Sequence, residues 1–157
     1  MISLRPLQAN DFELLVIWEN LPELWRVSEQ QGPFEKEEIR EFAENCLDPA
    51  NLSIERWLIC LSDEPIGAVD FFDYDQQNNQ CGLGIFIAYP ENRNKGHASI
   101  ALHMALELLA LRQCSLVRVI IYDSNTISKL LFLRAGFEEG GHLYYKGKSA
   151  QQFIWTN

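Results

Sequence analysis

Residues 81–112 read CGLGIFIAYPENRNKGHASIALHMALELLALR, and they set the organisation of everything around them. The apolar run from Cys81 to Tyr89 reads as a strand that stops at Pro90. A polar segment, ENRNKGHAS, then carries Arg93, Lys95 and the lone Gly96. From Gly96 to about Arg112 the chain is apolar except for Ser99, His103 and Glu107, each four apart. A helix with so narrow a wet stripe must be packed on most sides. The next apolar run, LVRVIIY, is a buried type of strand, and a crossover helix makes it parallel to the strand before it.

Working outward, ISLRPL at residues 2–7 predicts a first strand. Asn10 precedes DFELLVIWENL with Glu13 three residues on, a capping-box pattern opening a first helix. From Lys36, Ile39, Phe42, Ala43 and Cys46 fall on one face of a second, amphipathic helix. SIERWLICL, IGAVDFFDYD and CGLGIFIAY are separated only by short turns, which predicts antiparallel hairpins. SNTISKLLFLRAGF predicts a helix capped by Ser124 or Asn125 and stopped at Gly136. EGGHLYYKG and SAQQFIWT predict a closing hairpin. The order is β-α-α-β-β-β-α-β-α-β-β, a mixed α/β fold with one mixed sheet, parallel only in its middle. No repeat or linker divides the chain, so residues 1–157 are expected to form a single domain.

Composition excludes several classes. The 47% hydrophobic content is that of a globular protein. A net charge of -9 argues against a nucleic-acid surface, which needs clustered cations, and would steer a cationic acceptor. Cys46, Cys60, Cys81 and Cys114 form no CxxC pair and no metal-like spacing with His97, His103 or His142, so no metal site is expected. Buried thiols in a reducing cytosol are the expectation. No leader-like segment and no membrane-length apolar run is apparent, which points to a cytoplasmic protein that does not bind membranes.

The turn before the long helix admits two readings, a solvated basic loop or an anion site. The second has a physical basis. A helix start leaves N–H groups without partners and carries the positive end of the dipole, and phosphates bind there when no side chain blocks them. Gly96 removes that block, Arg93 and Lys95 add charge, and consecutive turn amides can form a nest. The segment is neither a Walker loop nor a dinucleotide fingerprint, since GxxxxGK[ST] and GxGxxG are both absent.

RNKGHA resembles the pyrophosphate loop of the GNAT acetyltransferases, an Arg or Gln followed by x-x-Gly-x-Gly/Ala. NTISKLLFLRAGF is similar to that family's Asn-containing helix ending in Gly-Phe, and GLGIFIA to its central strand. With ISLRPLQANDFELL the likeness spans essentially the whole chain, and it is nearest the branch of ribosomal-protein and diamine (polyamine) N-acetyltransferases. The resemblance implies acetyl-CoA as cofactor. It implies that the backbone of Arg93, Asn94, Lys95, Gly96, His97, Ala98 and Ser99 holds the pyrophosphate. Ile87 and Ala88 would pair with the pantetheine arm as with an added strand. Asn125 and Ser128 would face the far wall of that channel, although Asn125 is equally a plain helix cap. Homodimers are frequent among such relatives.

Acetyl transfer to an amine requires an acceptor that has lost a proton, from a pKa of roughly 10.4. It also requires donors for the oxyanion, here the backbone N–H near Ala88. If both substrates meet in one ternary complex, no nucleophile is needed, and no Ser-His-Asp or Cys-His arrangement is apparent. Two positions depart from the family pattern. Phe132 stands where relatives often have a tyrosine acid, leaving Tyr122, Ser128 or water. Gly82 stands where they often have a glutamate base. Remaining acid candidates are Asp70 and Asp73 on VDFFD, and Glu19 and Glu29 around the loop WENLPELWRVSEQQGPF, where Trp18 and Trp25 also lie. Asp70 interrupts an apolar strand and is the candidate catalytic base; an outward-facing strand residue is the alternative. The expected activity is acetyl transfer to a primary amine, for which a diamine or polyamine suits the acidic chain. A protein N-terminus, an amino sugar, or coenzyme A binding without catalysis are the alternatives.

Overall fold

The computed structural model describes residues 1–22 and 34–157. A strand β1 (Ile2–Pro6) leads through a short 3-10 turn to helix α1 (Phe12–Glu19), and helix α2 (Lys36–Leu47) precedes a meander. The meander is β2 (Ile54–Leu61), β3 (Glu64–Asp75) and β4 (Gln80–Ile87). Helix α3 (His97–Leu111), β5 (Leu116–Tyr122), α4 (Thr126–Arg134), β6 (Glu138–Tyr145) and β7 (Lys148–Thr156) complete the order read from the sequence.

The seven strands form one mixed sheet in the order β1-β2-β3-β4-β5-β7-β6. Ser62 and Asp63 make the β2–β3 turn with φ of 49° and 73°, the left-handed geometry that matches the twist of a hairpin. Only β4 and β5 are parallel, as a crossover through α3 requires. β7 lies between β5 and β6, so β6 is an outer strand.

Strand alternation sends side chains into two cores. Phe71, Leu83, Val117, Val119 and Ile121 pack with Leu102, Leu109 and Phe132 from α3 and α4. Leu58, Ala68 and Ala88 pack with Leu15, Trp18, Ile39 and Ala43 from α1 and α2. Cys60, Cys81 and Cys114 are buried and Cys46 half-buried, and none is in a disulfide. Among the described residues, no helix is long and apolar enough to cross a membrane.

Two local expectations need correction. The helical start is shifted: Gln8 is its cap, and the Asp11 carboxylate accepts the Gln8 N–H at 2.8 Å, in place of an Asn10/Glu13 box. Asp11 is drawn there because Arg5 grips both of its oxygens at 2.8 and 2.9 Å. Helix α3 is also less enclosed than its composition suggests. Ala101, Leu102, Ala105, Leu106 and Leu109 face the core, but Ile100 and Leu111 join the polar row outside, 50% and 83% exposed.

Candidate active site

β4 and β5 are laddered only at Gln80↔Leu116, Cys81↔Val117 and Gly82↔Arg118. Both strands run on, to Ile87 and Tyr122, without pairing to each other. Their unpaired halves border a gap, and each strand leads directly into a helix, α3 or α4, that starts at the same end. The carboxyl ends of parallel strands, with helix N-termini beside them, are where α/β sheets bind ligands.

On the β4 side, the Ala88 N–H donates to Ile66 O at 2.8 Å. The oxyanion donor expected near Ala88 is therefore not Ala88's own amide. In an antiparallel ladder alternate residues turn their polar groups to opposite sides, so Ile85 and Ile87 direct theirs into the gap. Ile87 O is reached from that side by Arg93 Nε at 3.1 Å, and Arg93 Nη2 meets Ala88 O at 3.1 Å.

The expected pyrophosphate loop forms the mouth of α3. Asn94 and Gly96 both take left-handed conformations, with φ of 59° and 81°. Gly96 is the residue preceding the first helical turn, and a Cβ placed on it would meet nothing within 4 Å. Space over the first amides of α3 is thus open, and no side chain caps them. His97, Ala98 and Ser99 form the first turn, half-buried, while Asn94, Lys95 and Gly96 are exposed. This arrangement fits a diphosphate held by backbone N–H groups.

Across the gap, Asn125 caps α4 by accepting the Ser128 N–H at 3.2 Å. The capping role is thus realised, and the side chain stands beside the gap. Tyr122 closes β5, 8% exposed, with its ring against Tyr145 and the Lys148 ammonium 5.4 Å from its centre. Phe132 lies on the other face, 1% exposed and edge-on to Phe137 at 4.9 Å. It is a core residue. Gly82 has an equally physical reason: a Cβ there would come within 2.3 Å of the Phe72 ring, which fills the space a longer side chain would need.

Asp70 sits on the α1/α2 face of β3, opposite Gly84. Both its oxygens are taken by Arg56, at 2.6 Å to Nε and 2.7 Å to Nη2, and the Arg56 Nη1 binds Glu19 at 2.8 Å. Arg56 is 6% exposed. Burial disfavours its charge, but Asp70 and Glu19 more than offset this and raise its proton affinity above that of ordinary arginine. Sequence inspection missed Arg56, whose alternating place on β2 gave no sign of its partners. Asp73 lies at a bulge with φ of 50° and is exposed. Trp18 is fully buried and donates its indole N–H to the Tyr89 hydroxyl at 3.0 Å, so α1 touches the end of β4 directly. Trp25 and Glu29 lie outside the described residues.

A cleft of about 470 Å³ lies elsewhere, at the start of β2 and the end of α3, lined by Glu55, Tyr74 and Arg112 among others. It is remote from the gap. Among the described residues no group of side chains could hold a metal ion.

The family described as "Acetyltransferase (GNAT) domain" matches residues 2–138. Among solved structures, the spermidine N-acetyltransferase of Vibrio cholerae in complex with CoA and spermine is similar, with a TM-score of 0.89 at 17% identity over 99% of this chain and 95% of that one. A further structure of that enzyme, described as dodecameric, gives 0.79 at 18% over 99% and 93%. The ribosomal L7/L12 α-N-protein acetyltransferase RimL in complex with coenzyme A gives 0.86 at 18% over 99% and 93%. No curated protein sequence matches the chain. At these identities the structural likenesses establish the fold, and the match over residues 2–138 establishes the family: this chain belongs to the GNAT acetyltransferases, enzymes that use acetyl-CoA.

Proposed function

We propose that the chain transfers acetyl from acetyl-CoA to a primary amine of the diamine or polyamine class, directly, within a ternary complex. The observation that carries the acceptor class is the Glu19–Arg56–Asp70 cluster on the α1/α2 face of the sheet. Both carboxylates of the cluster retain some exposure, 15% and 20%. Together with the net charge of -9, this favours a cationic acceptor. The spermine held by the similar Vibrio cholerae enzyme supports the same class.

In this reading the coenzyme supplies the activated acetyl group and a thiolate leaving group. The amides of Asn94, Lys95, Gly96, His97, Ala98 and Ser99 hold its diphosphate, the Arg93 N–H being taken by Pro90 O. Ile87 and Ala88 receive its arm along the open edge of β4, and Asn125 and Ser128 form the opposite wall. The Ile87 N–H, turned into the gap, is the donor for negative charge developing on the acetyl oxygen. Asp70 holds negative charge beside the acceptor through Arg56, and the ammonium proton leaves to solvent. A thiolate with a pKa of roughly 8.5 can depart without a dedicated acid, which makes the burial of Phe132 compatible with turnover. The free thiols accord with a reducing, cytoplasmic setting, and assembly into dimers or larger multimers is part of the proposal.

Initial rates with acetyl-CoA and a panel of spermidine, putrescine, an N-terminal peptide and glucosamine test the reading. A polyamine should give the highest kcat/KM. Preference for the peptide would instead favour the protein N-terminal activity suggested by the likeness to RimL. Coenzyme A binding without turnover on any amine would leave a binding module. Gly96→Asp should weaken coenzyme A at least about 100-fold without unfolding the chain, because a carboxylate would occupy the anion position.

A further inference from the structure

We propose that Arg93 is a positioning residue and not a phosphate ligand: its guanidinium shapes the end of β4 to receive the pantetheine arm, and leaves the diphosphate to backbone amides and Lys95. The inference rests on the coenzyme placement given above and concerns how one side chain serves it. Arg93 reaches back to two consecutive carbonyls, Ile87 O through Nε and Ala88 O through Nη2, each at 3.1 Å. Consecutive carbonyls of a regular strand point to opposite sides. One guanidinium can bridge both only if the backbone turns between them, and β4 does end at Ile87.

Two backbone bonds close the same loop, Asn92 N–H to Tyr89 O at 3.0 Å and Arg93 N–H to Pro90 O at 3.1 Å. On the other side of the turn, the Ala88 N–H is fixed to Ile66 O. The Ile87–Ala88 peptide is therefore held from β3 and from the loop at once. Arg93 is half-buried, whereas Lys95 two residues on is exposed. The planar fork of arginine can satisfy two separated carbonyls, which the single ammonium of lysine cannot do in the same way.

Dephospho-coenzyme A is ADP with the pantetheine arm esterified to its terminal phosphate, which removes one negative charge, so the change in the ratio of their dissociation constants between variants of equal charge measures what the arm adds. Calorimetric titration of the whole chain with both ligands and with coenzyme A gives the test. In Arg93→Gln the ratio should collapse about tenfold while ADP stays within about twofold of wild type. Arg93→Lys should behave like Arg93→Gln although the charge is kept. Lys95→Gln should weaken ADP and dephospho-coenzyme A by the same factor and flatten the salt dependence. Equal weakening of both ligands in Arg93→Gln, with rescue by Arg93→Lys, would make Arg93 a phosphate ligand and overturn this inference alone. Equal weakening without rescue, accompanied by a lower Tm, would assign it a purely structural role and overturn the inference as well. Failure of the wild-type chain to bind coenzyme A would remove the underlying reading together with it.

Discussion

Helices α1 and α3 cover opposite faces of the same sheet and are held there by different forces. α3 has 15 residues and packs mainly through Ala101, Leu102, Ala105, Leu106 and Leu109, with a solvent-facing ion pair, Arg112 to Glu55 at 2.7 Å, just past its end. α1 has 8 residues, too few to be stable by propensity, and it is stapled by polar contacts at both ends. Arg5 binds Asp11 just before its start, Arg56 binds Glu19 at its end, and Trp18 donates to Tyr89. The proposed cofactor side is thus built from backbone geometry on a largely apolar support. The proposed acceptor side is built from side chains that meet across the sequence.

The difference can be broken most sharply at Arg56. Arg56→Met leaves Glu19 and Asp70 without their buried partner and should cost about 3–5 kcal/mol, measured by urea denaturation. Adding Glu19→Gln and Asp70→Asn should restore most of that loss. A cost below about 1 kcal/mol would mean that α1, like α3, is held chiefly by apolar packing.

A smaller effect is expected in the wall of the gap. Gly82→Ala should lower stability by about 1–3 kcal/mol because its Cβ would meet the Phe72 ring at 2.3 Å. Gly84→Ala, with the same ring at an ordinary 3.8 Å, should change stability by less than about 0.5 kcal/mol. Equal costs at the two positions would show that Phe72 swings aside freely, and that Gly82 could be a larger residue.

The smallest effect concerns the start of α1 and depends on pH. The hydrogen bonds from Arg5 hold the Asp11 carboxyl below its usual range, against the opposing effect of burial. A depressed folded-state pKa contributes stability that is complete above the ordinary carboxylate value and fades as pH falls through the folded one. Asp11→Asn should therefore cost about 1 kcal/mol near neutrality. In acid, the two stability curves should converge; a constant offset down to low pH would show that Asp11 acts only as a cap.

The contrast between the two helices also explains what could be read before any coordinates. The order of elements was legible because period-2 runs, an amphipathic second helix and the glycine before α3 are local signals. The loop proposed to hold the diphosphate was legible for the same reason, being one strand end, one glycine and one helix start. The proposed acceptor side depends on Arg56 meeting Asp70 and Glu19, 14 and 37 residues away, and no periodicity encodes such pairings. Asp70 was noticed as a charge on an apolar strand, but its partner was not. Likewise the sequence shows Arg93 only as charge beside the expected anion site, whereas its side chain folds back on the strand it follows. The exposed Ile100 and Leu111 show the converse limit: composition alone gives no indication of which apolar residues the sheet has room to cover.

The brief ladder between β4 and β5 bears on how the chain reaches its folded state. β2, β3 and β4 are joined by tight turns and can pair soon after collapse, whereas β4 and β5 must wait for α3 to form and dock between them. Their three paired positions then join the halves of the sheet late, as a short seam. The slit proposed to receive the coenzyme is the unsewn length of that seam. A ligand bridging it ties together segments that associate last and should separate first, so the holoprotein gains resistance to unfolding in time as well as in equilibrium.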